Sequence, residues 1–175
     1  PPQHFNTVHL LSAAQKTDLD IKRKKATAAV VTASASAGVV GGVPIPIADA
    51  TLLVPLQLGM IASVSVIYGI KAETAGLAAT LVPSIATGAG RAAVTGLLKL
   101  IPGAGSIVGG VVSAGTAGML TGAMGYAWIA VCEQLVQGRL KSVDGLLDRD
   151  AVRALFGAEF STWSAKLMPG RSKRR

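Results

Sequence analysis

Few side chains in this sequence are of types that do covalent or acid–base chemistry, and their spacing keeps them apart. The two histidines, His4 and His9, sit near the start, and the one cysteine, Cys132, lies far along the chain. A zinc site needs several such ligands close together, and a thiol nucleophile needs a neighbouring base. Neither grouping is present, so no catalytic, metal-binding or cofactor-binding residue is expected. A lone cysteine forms no internal disulfide, and a small buried thiol is its expected role. Asp49 and Glu73 are isolated carboxylates in apolar surroundings. An acid so placed can carry protons, but each adjoins a break in the apolar pattern, where a cap or loop role is favoured. Gly88-Ala89-Gly90-Arg91-Ala92-Ala93 matches G-x-G-x-x-A by letters. No strand precedes it and no ribose-binding acid follows at the expected distance, so no dinucleotide site is read there. No G-x-x-x-x-G-K-[ST] phosphate loop occurs either, so the chain has no means of its own to bind GTP in the usual way.

The informative spacings are those of small residues. From Leu100 to Cys132 the chain runs 33 residues without Asp, Glu, Lys, Arg or His, and eight of them are Gly and six Ala. Interior Gly costs about 1 kcal/mol against Ala in an aqueous helix. Close approach of two helix backbones, in lipid or in a tight bundle, recovers that cost. Gly38–Gly42, Gly105–Gly109 and Gly118–Gly122 are G-x-x-x-G pairs, extended by Gly110, Ala114, Gly115 and Gly125. Gly105, Gly109, Gly118 and Gly122 are therefore expected to face a neighbouring helix.

These residues need long helices to carry them. Residues Val8 to Lys25 read as a polar helical lead-in, running into the uncharged stretch Ala26–Ala48. Gly41-Gly42 and Pro44-Ile45-Pro46 end that helix, because proline lacks the donor N–H and pushes its predecessor out of the helical region. A second helix starts near Ala48-Asp49, with Asp49 placed to cap its exposed N–H groups. Pro55 lies inside it by this count, and Gly69 ends it. A third stretch, Thr74–Leu100, is interrupted by Pro83, Gly88 and Gly90. Pro102-Gly103-Ala104-Gly105 makes a turn, and a fourth helix follows from about Ser106 to about Gln137. Past it, Asp148 reads as the N-cap of an amphipathic helix in which Val152, Leu155, Phe156, Phe160, Trp163 and Leu167 recur at spacings of three and four; Gly157 could break it in two. The fold class is thus all-α, a bundle of about four long apolar Gly/Ala-rich helices. It is organised as a lead-in over 1–25, an apolar domain over 26–137, and an amphipathic helix with a basic tail over 138–175.

Charge is segregated in the same way. Charged residues are 15% of the chain against a usual share of roughly 25%, and the formal net charge is +8. Only Asp49, Lys71, Glu73, Arg91 and Lys99 are charged between Ala26 and Cys132. Lys22, Arg23, Lys24 and Lys25 precede the apolar region, and Arg171, Lys173, Arg174 and Arg175 close the chain. Basic flanks around an apolar middle suit an anionic membrane surface. Nucleic acid is disfavoured, because basic residues are not interleaved with stacking aromatics. The N-terminus lacks the basic and apolar regions of a cleavable signal.

The series Leu19-Asp20-Ile21-Lys22-Arg23, Pro44-Ile45-Pro46-Ile47-Ala48-Asp49-Ala50, Leu53-Val54-Pro55-Leu56-Gln57-Leu58-Gly59, Leu98-Lys99-Leu100-Ile101-Pro102-Gly103-Ala104-Gly105 and Gly125-Tyr126-Ala127-Trp128 resembles the YcjF-like bacterial domain of unknown function. That domain often follows an Era-like or immunity-related GTPase domain. The resemblance covers about residues 15–137. It implies an all-helical domain, membrane-associated in several members and partnered with a GTPase, and it implies no catalytic residue. The segment past Gly138 is outside it.

Two functions are compatible with these features. One is a non-enzymatic helical module on the bacterial cytoplasmic membrane, peripheral or integral, that self-associates and anchors or transduces for a GTPase. If its apolar stretches span, the basic clusters put both termini on the cytoplasmic side. The other is a soluble or oligomeric assembly domain packed through small-residue seams without lipid. Uncharged runs of 20 residues or more, near the length a bilayer core requires, favour the first.

Overall fold

In the computed structural model, residues 3–40, 48–71, 76, 114–141 and 145–167 are described. Among them the chain forms four helices and no strand: α1 over Gln3–Val40, α2 over Ala48–Tyr68, α3 over Ala114–Val136 and α4 over Arg149–Leu167. The expected all-α class holds. The lead-in and the first apolar stretch are one uninterrupted helix, since no proline or glycine stands at their junction. The C-terminal segment is likewise a single helix that passes through Gly157. Thr74–Leu100 apart from Gly76, the turns at Pro44–Pro46 and Pro102–Gly105, and the first turns expected of the fourth helix lie outside the described residues.

Local chemistry explains the boundaries. Gly69 and Gly138 both adopt φ of +70°. After α2, Gly69 N–H donates to Val66 O and Ile70 N–H to Ser65 O; after α3, Gly138 N–H donates to Leu135 O and Arg139 N–H to Gln134 O. This is the paired closure of a Schellman motif, in which a left-handed glycine lets two N–H groups satisfy the last free carbonyls. Asp148 caps α4 as the sequence suggests, its Oδ1 accepting from Ala151 N–H at 2.9 Å. Pro55 sits within α2 and removes one N–H from its ladder. The hydroxyls of Thr32, Ser34, Ser36, Ser63 and Ser65 donate to the carbonyl four residues back, so polar side chains inside apolar helices stay satisfied.

Side-chain pairs set the helix directions. Gln57 Nε2 donates to Thr121 Oγ1 (3.2 Å), Trp128 Nε1 to Ser65 Oγ (2.9 Å) and Tyr68 OH to Glu133 Oε1 (3.0 Å). The offset between partners is nearly constant, so α2 and α3 run parallel. Arg23 meets Glu133 while Ser34 lies against Gly118, so α1 runs antiparallel to α3. Tyr126 stacks on Trp163 and Trp128 meets Phe156 edge-on, so α4 is antiparallel to α3 as well. The core centres on α3, with Trp128 fully buried among Val30, Val64, Val131 and Val152. Six of the chain's seven aromatic residues stand on α2, α3 and α4 and contribute to it.

No helix among the described residues is long and apolar enough to cross a membrane. α1 and α4 carry charge, and α3 has Glu133 and Gln134 in its last turn. The expectation of spanning helices therefore gains nothing from these four, a result compatible with peripheral association.

Candidate functional site

The small-residue face of α3 packs closely against α1. A Cβ added at Gly118 would meet the Ser34 carbonyl oxygen at 2.9 Å; at Gly122 it would meet Ser34 Oγ at 3.1 Å and Leu167 Cδ1 at 3.3 Å. At Gly125 it would meet Val30 Cγ2 at 2.5 Å and Met60 Sδ at 2.9 Å. Residues 118, 122 and 125 share one helix face, and that face is turned to α1 of the same chain. Gly105 and Gly109 lie outside the described residues.

One turn before the end of α3, three helices meet at a single carboxylate. Arg23 Nε donates to Glu133 Oε1 at 2.6 Å and Arg23 Nη2 to Oε2 at 2.5 Å. The pairing is bidentate, the geometry in which the guanidinium fork fits a carboxylate. Tyr68 OH shares Oε1. The side chain of Glu133 is 11% exposed, whereas that of Arg23 is 60% exposed. Hydrogen bonding and the charge of Glu133 hold the Arg23 guanidinium still more firmly protonated. Burial, then the bond to Glu133, pushes the Tyr68 phenol up from its ordinary value. Cys132 is fully buried beside them, and burial followed by the Glu133 charge pushes its thiol up. The cluster is therefore a bonded pin that ties α1 and α2 to α3. Among the described residues no three His, Cys, Asp or Glu lie together as a metal site would require.

This pin divides the basic run at 22–25. Arg23 turns inward to α3, and Lys22 pairs with Asp18 at 2.7 Å within α1. Lys24 and Lys25 remain exposed, with no carboxylate partner among the described residues. The fold brings other cations to the same end: Lys71 just past α2, Arg139 and Lys141 just past α3, and Arg149 at the start of α4. Cations suit this place, because α2 and α3 both direct their C-termini to it. Asp150 and Arg153 pair within the first turn of α4, and from there to the far end only Asp49, Glu159 and Lys166 are charged among the described residues. Arg171, Lys173, Arg174 and Arg175 lie outside them, as do Pro44, Pro46, Pro102 and Gly103; Asp49 is the second residue of α2. Sequence reasoning missed Tyr68 and Glu133. The only available signal was position: Glu133 is the first charge after the long uncharged run.

Past the basic end, α1 continues as a helix to Gln3. Every side chain from Leu10 to Asp18 is exposed, Leu10 at 71% and Leu11 at 66%. The 16 residues before Leu19 form an arm of about 24 Å.

No curated protein and no solved structure matches the chain. A family model does, over residues 5–149. That span takes in nearly all of α1 and the whole of α2 and α3, and stops at the first residue of α4. The glycine seam and the Arg23–Glu133–Tyr68 pin thus both lie inside the matched region, and the chain belongs to the family described as Domain of unknown function (DUF697).

Proposed function

We propose that this protein is a non-enzymatic helical module that binds the anionic surface of the bacterial cytoplasmic membrane peripherally and anchors or transduces for a GTPase. The observation that carries the reading is the charge asymmetry of the bundle. Among the described residues, Lys24, Lys25, Lys71, Arg139, Lys141 and Arg149 gather at one end and outnumber the acids there that form no ion pair, Asp20 and Asp148, while the other end is nearly uncharged. Basic residues near an anionic surface each contribute on the order of 1 kcal/mol of binding. Because α1 projects from the same end, the bundle would meet the surface obliquely with its arm along it. The GTPase part rests on the resemblance to domains that follow GTPase domains. The exposed leucines of the arm offer such a partner an apolar contact. Self-association belongs to the same reading, but not through Gly118, Gly122 and Gly125, whose face α1 already covers. The outer side of α2, where Gly59, Ala62 and Val66 are exposed, would serve.

Flotation with vesicles tests the surface, and GTP hydrolysis by a neighbouring-gene GTPase, with and without this chain, tests the partner. Binding to phosphatidylglycerol but not phosphatidylcholine vesicles is expected, together with a changed hydrolysis rate. Equal binding to both vesicle types would overturn the first part, and an unchanged rate the second.

A further inference from the structure

Two clefts flank α3, and their linings differ in charge. The one between α1 and α4, about 460 Å³, includes Arg23, Glu133, Glu159 and Trp163. Arg23 is neutralised there by Glu133, and Glu159 leaves the lining acidic. The other, about 650 Å³, lies at the basic end between the close of α2 and the turn that follows α3. Its apolar lining includes Ile70, Leu135, Leu140 and Leu147, and among the described residues its charged lining is Lys71 and Lys141. Its volume falls within the roughly 300–1,000 Å³ of small-molecule sites.

The walls of this second cleft are fixed by backbone bonds. The Schellman closures hold Ile70 and Arg139 in place. Asp148 N–H donates to Leu140 O at 3.1 Å, and Lys141 bridges Leu147, so the returning turn is pinned against α3. Gly69 and Gly145, both at positive φ, have nothing within 4 Å of a Cβ position. Neither lysine has a carboxylate partner among the described residues.

We propose that this cleft binds one single-chain amphiphile with an anionic head group, its chain on Ile70, Leu135, Leu140 and Leu147 and its head at Lys71 and Lys141. The inference rests on the anionic-surface reading and deepens it: the end that meets the surface also seats one of its molecules. Charge complementarity selects the ligand. Two ammonium groups with no carboxylate partner among the described residues, beside an apolar wall, match an anionic head on an acyl chain, and the acidic cleft on the other flank does not.

Titration of the whole chain with monomeric dodecyl phosphate tests this, with dodecyltrimethylammonium and inorganic phosphate as companions. Saturable one-to-one binding of dodecyl phosphate is expected, about tenfold or more tighter than either companion. The double variant Lys71→Gln/Lys141→Gln, exposed on both sites and checked for an unchanged helical spectrum, should lose about 30-fold in affinity. If the lysines only complement the helix C-termini, the variant melts earlier yet binds as before, and the proposal falls. It falls also if the cationic amphiphile binds equally well, or if nothing saturates. Inorganic phosphate binding as tightly as dodecyl phosphate would assign the lysines to free phosphate and remove the acyl part. Phosphatidylglycerol flotation of the parent chain is read alongside. Flotation without dodecyl phosphate binding defeats the cleft alone; dodecyl phosphate binding without flotation defeats the surface reading and leaves the cleft standing.

Discussion

Gly125 and Gly157 are both helical glycines, and they make opposite predictions. A methyl group at Gly125 would collide with Val30 and Met60, while at Gly157 it would meet nothing within 4 Å. Gly125→Ala should destabilise the fold by about 1–3 kcal/mol, the cost of overpacking. Gly157→Ala should stabilise it by up to about 1 kcal/mol, the propensity difference in an exposed helix. Urea denaturation of both variants checks this. Gly118→Leu should fail as Gly125→Ala does, only more severely, because its obstacle is backbone. At the pin, Arg23→Ala leaves the largely buried Glu133 carboxylate with Tyr68 alone. The expected loss is about 2 kcal/mol, less than for a fully buried pair because solvent screens the exposed Arg23. The buried thiol adds a pH dependence. Its folded pKa is raised, so the stability it contributes is complete below the ordinary thiol value of about 8.5 and is lost as pH rises above that value. Denaturation midpoints measured from pH 7 to pH 10 should fall more steeply for the parent than for Cys132→Ala. The same thiol should resist alkylation until the chain is unfolded.

At the scale of elements, what the sequence disclosed and what it hid divide by distance along the chain. The end of α2 at Gly69, its start at Ala48, and the cap of α4 at Asp148 were legible because each rests on chemistry within a few residues. Asp148→Ala should accordingly cost about 1 kcal/mol, read as a shift in the thermal midpoint. The face of α3 was legible too, since G-x-x-x-G spacing puts Gly118 and Gly122 on one side. What that face meets was not legible. Arg23 reads as one of four equal cations at 22–25, and its assignment to Glu133 spans 110 residues. Only the antiparallel register of α1 against α3 brings the two together. The same register carries the first part of α1 past Glu133, where residues 10–18 are exposed. A lone helix of this length is marginal in water, though Asp18 and Lys22 form a favourable i, i+4 pair. Amides of residues 10–18 should therefore exchange with solvent much faster than those of residues 24–38. A partner that occupies the arm should slow them; equal protection in the isolated chain would contradict the arm's exposure.

For the whole molecule, the account depends on an electrostatic polarity that only the fold creates. In sequence, Lys24, Lys71 and Lys141 are far apart. Two parallel helices closing at the same end, with α1 antiparallel to them, place these residues together. Vesicle flotation across a salt series measures this polarity most directly, comparing the parent chain with Lys24→Glu/Lys25→Glu and, from the opposite end, Lys166→Gln. The parent should bind phosphatidylglycerol vesicles and release them as salt rises. Lys24→Glu/Lys25→Glu should weaken binding by about 30-fold, at on the order of 1 kcal/mol for each lysine lost, and Lys166→Gln should bind as the parent does. Salt-independent binding, or the same loss from Lys166→Gln as from the pair at 24 and 25, would contradict a membrane-facing basic end.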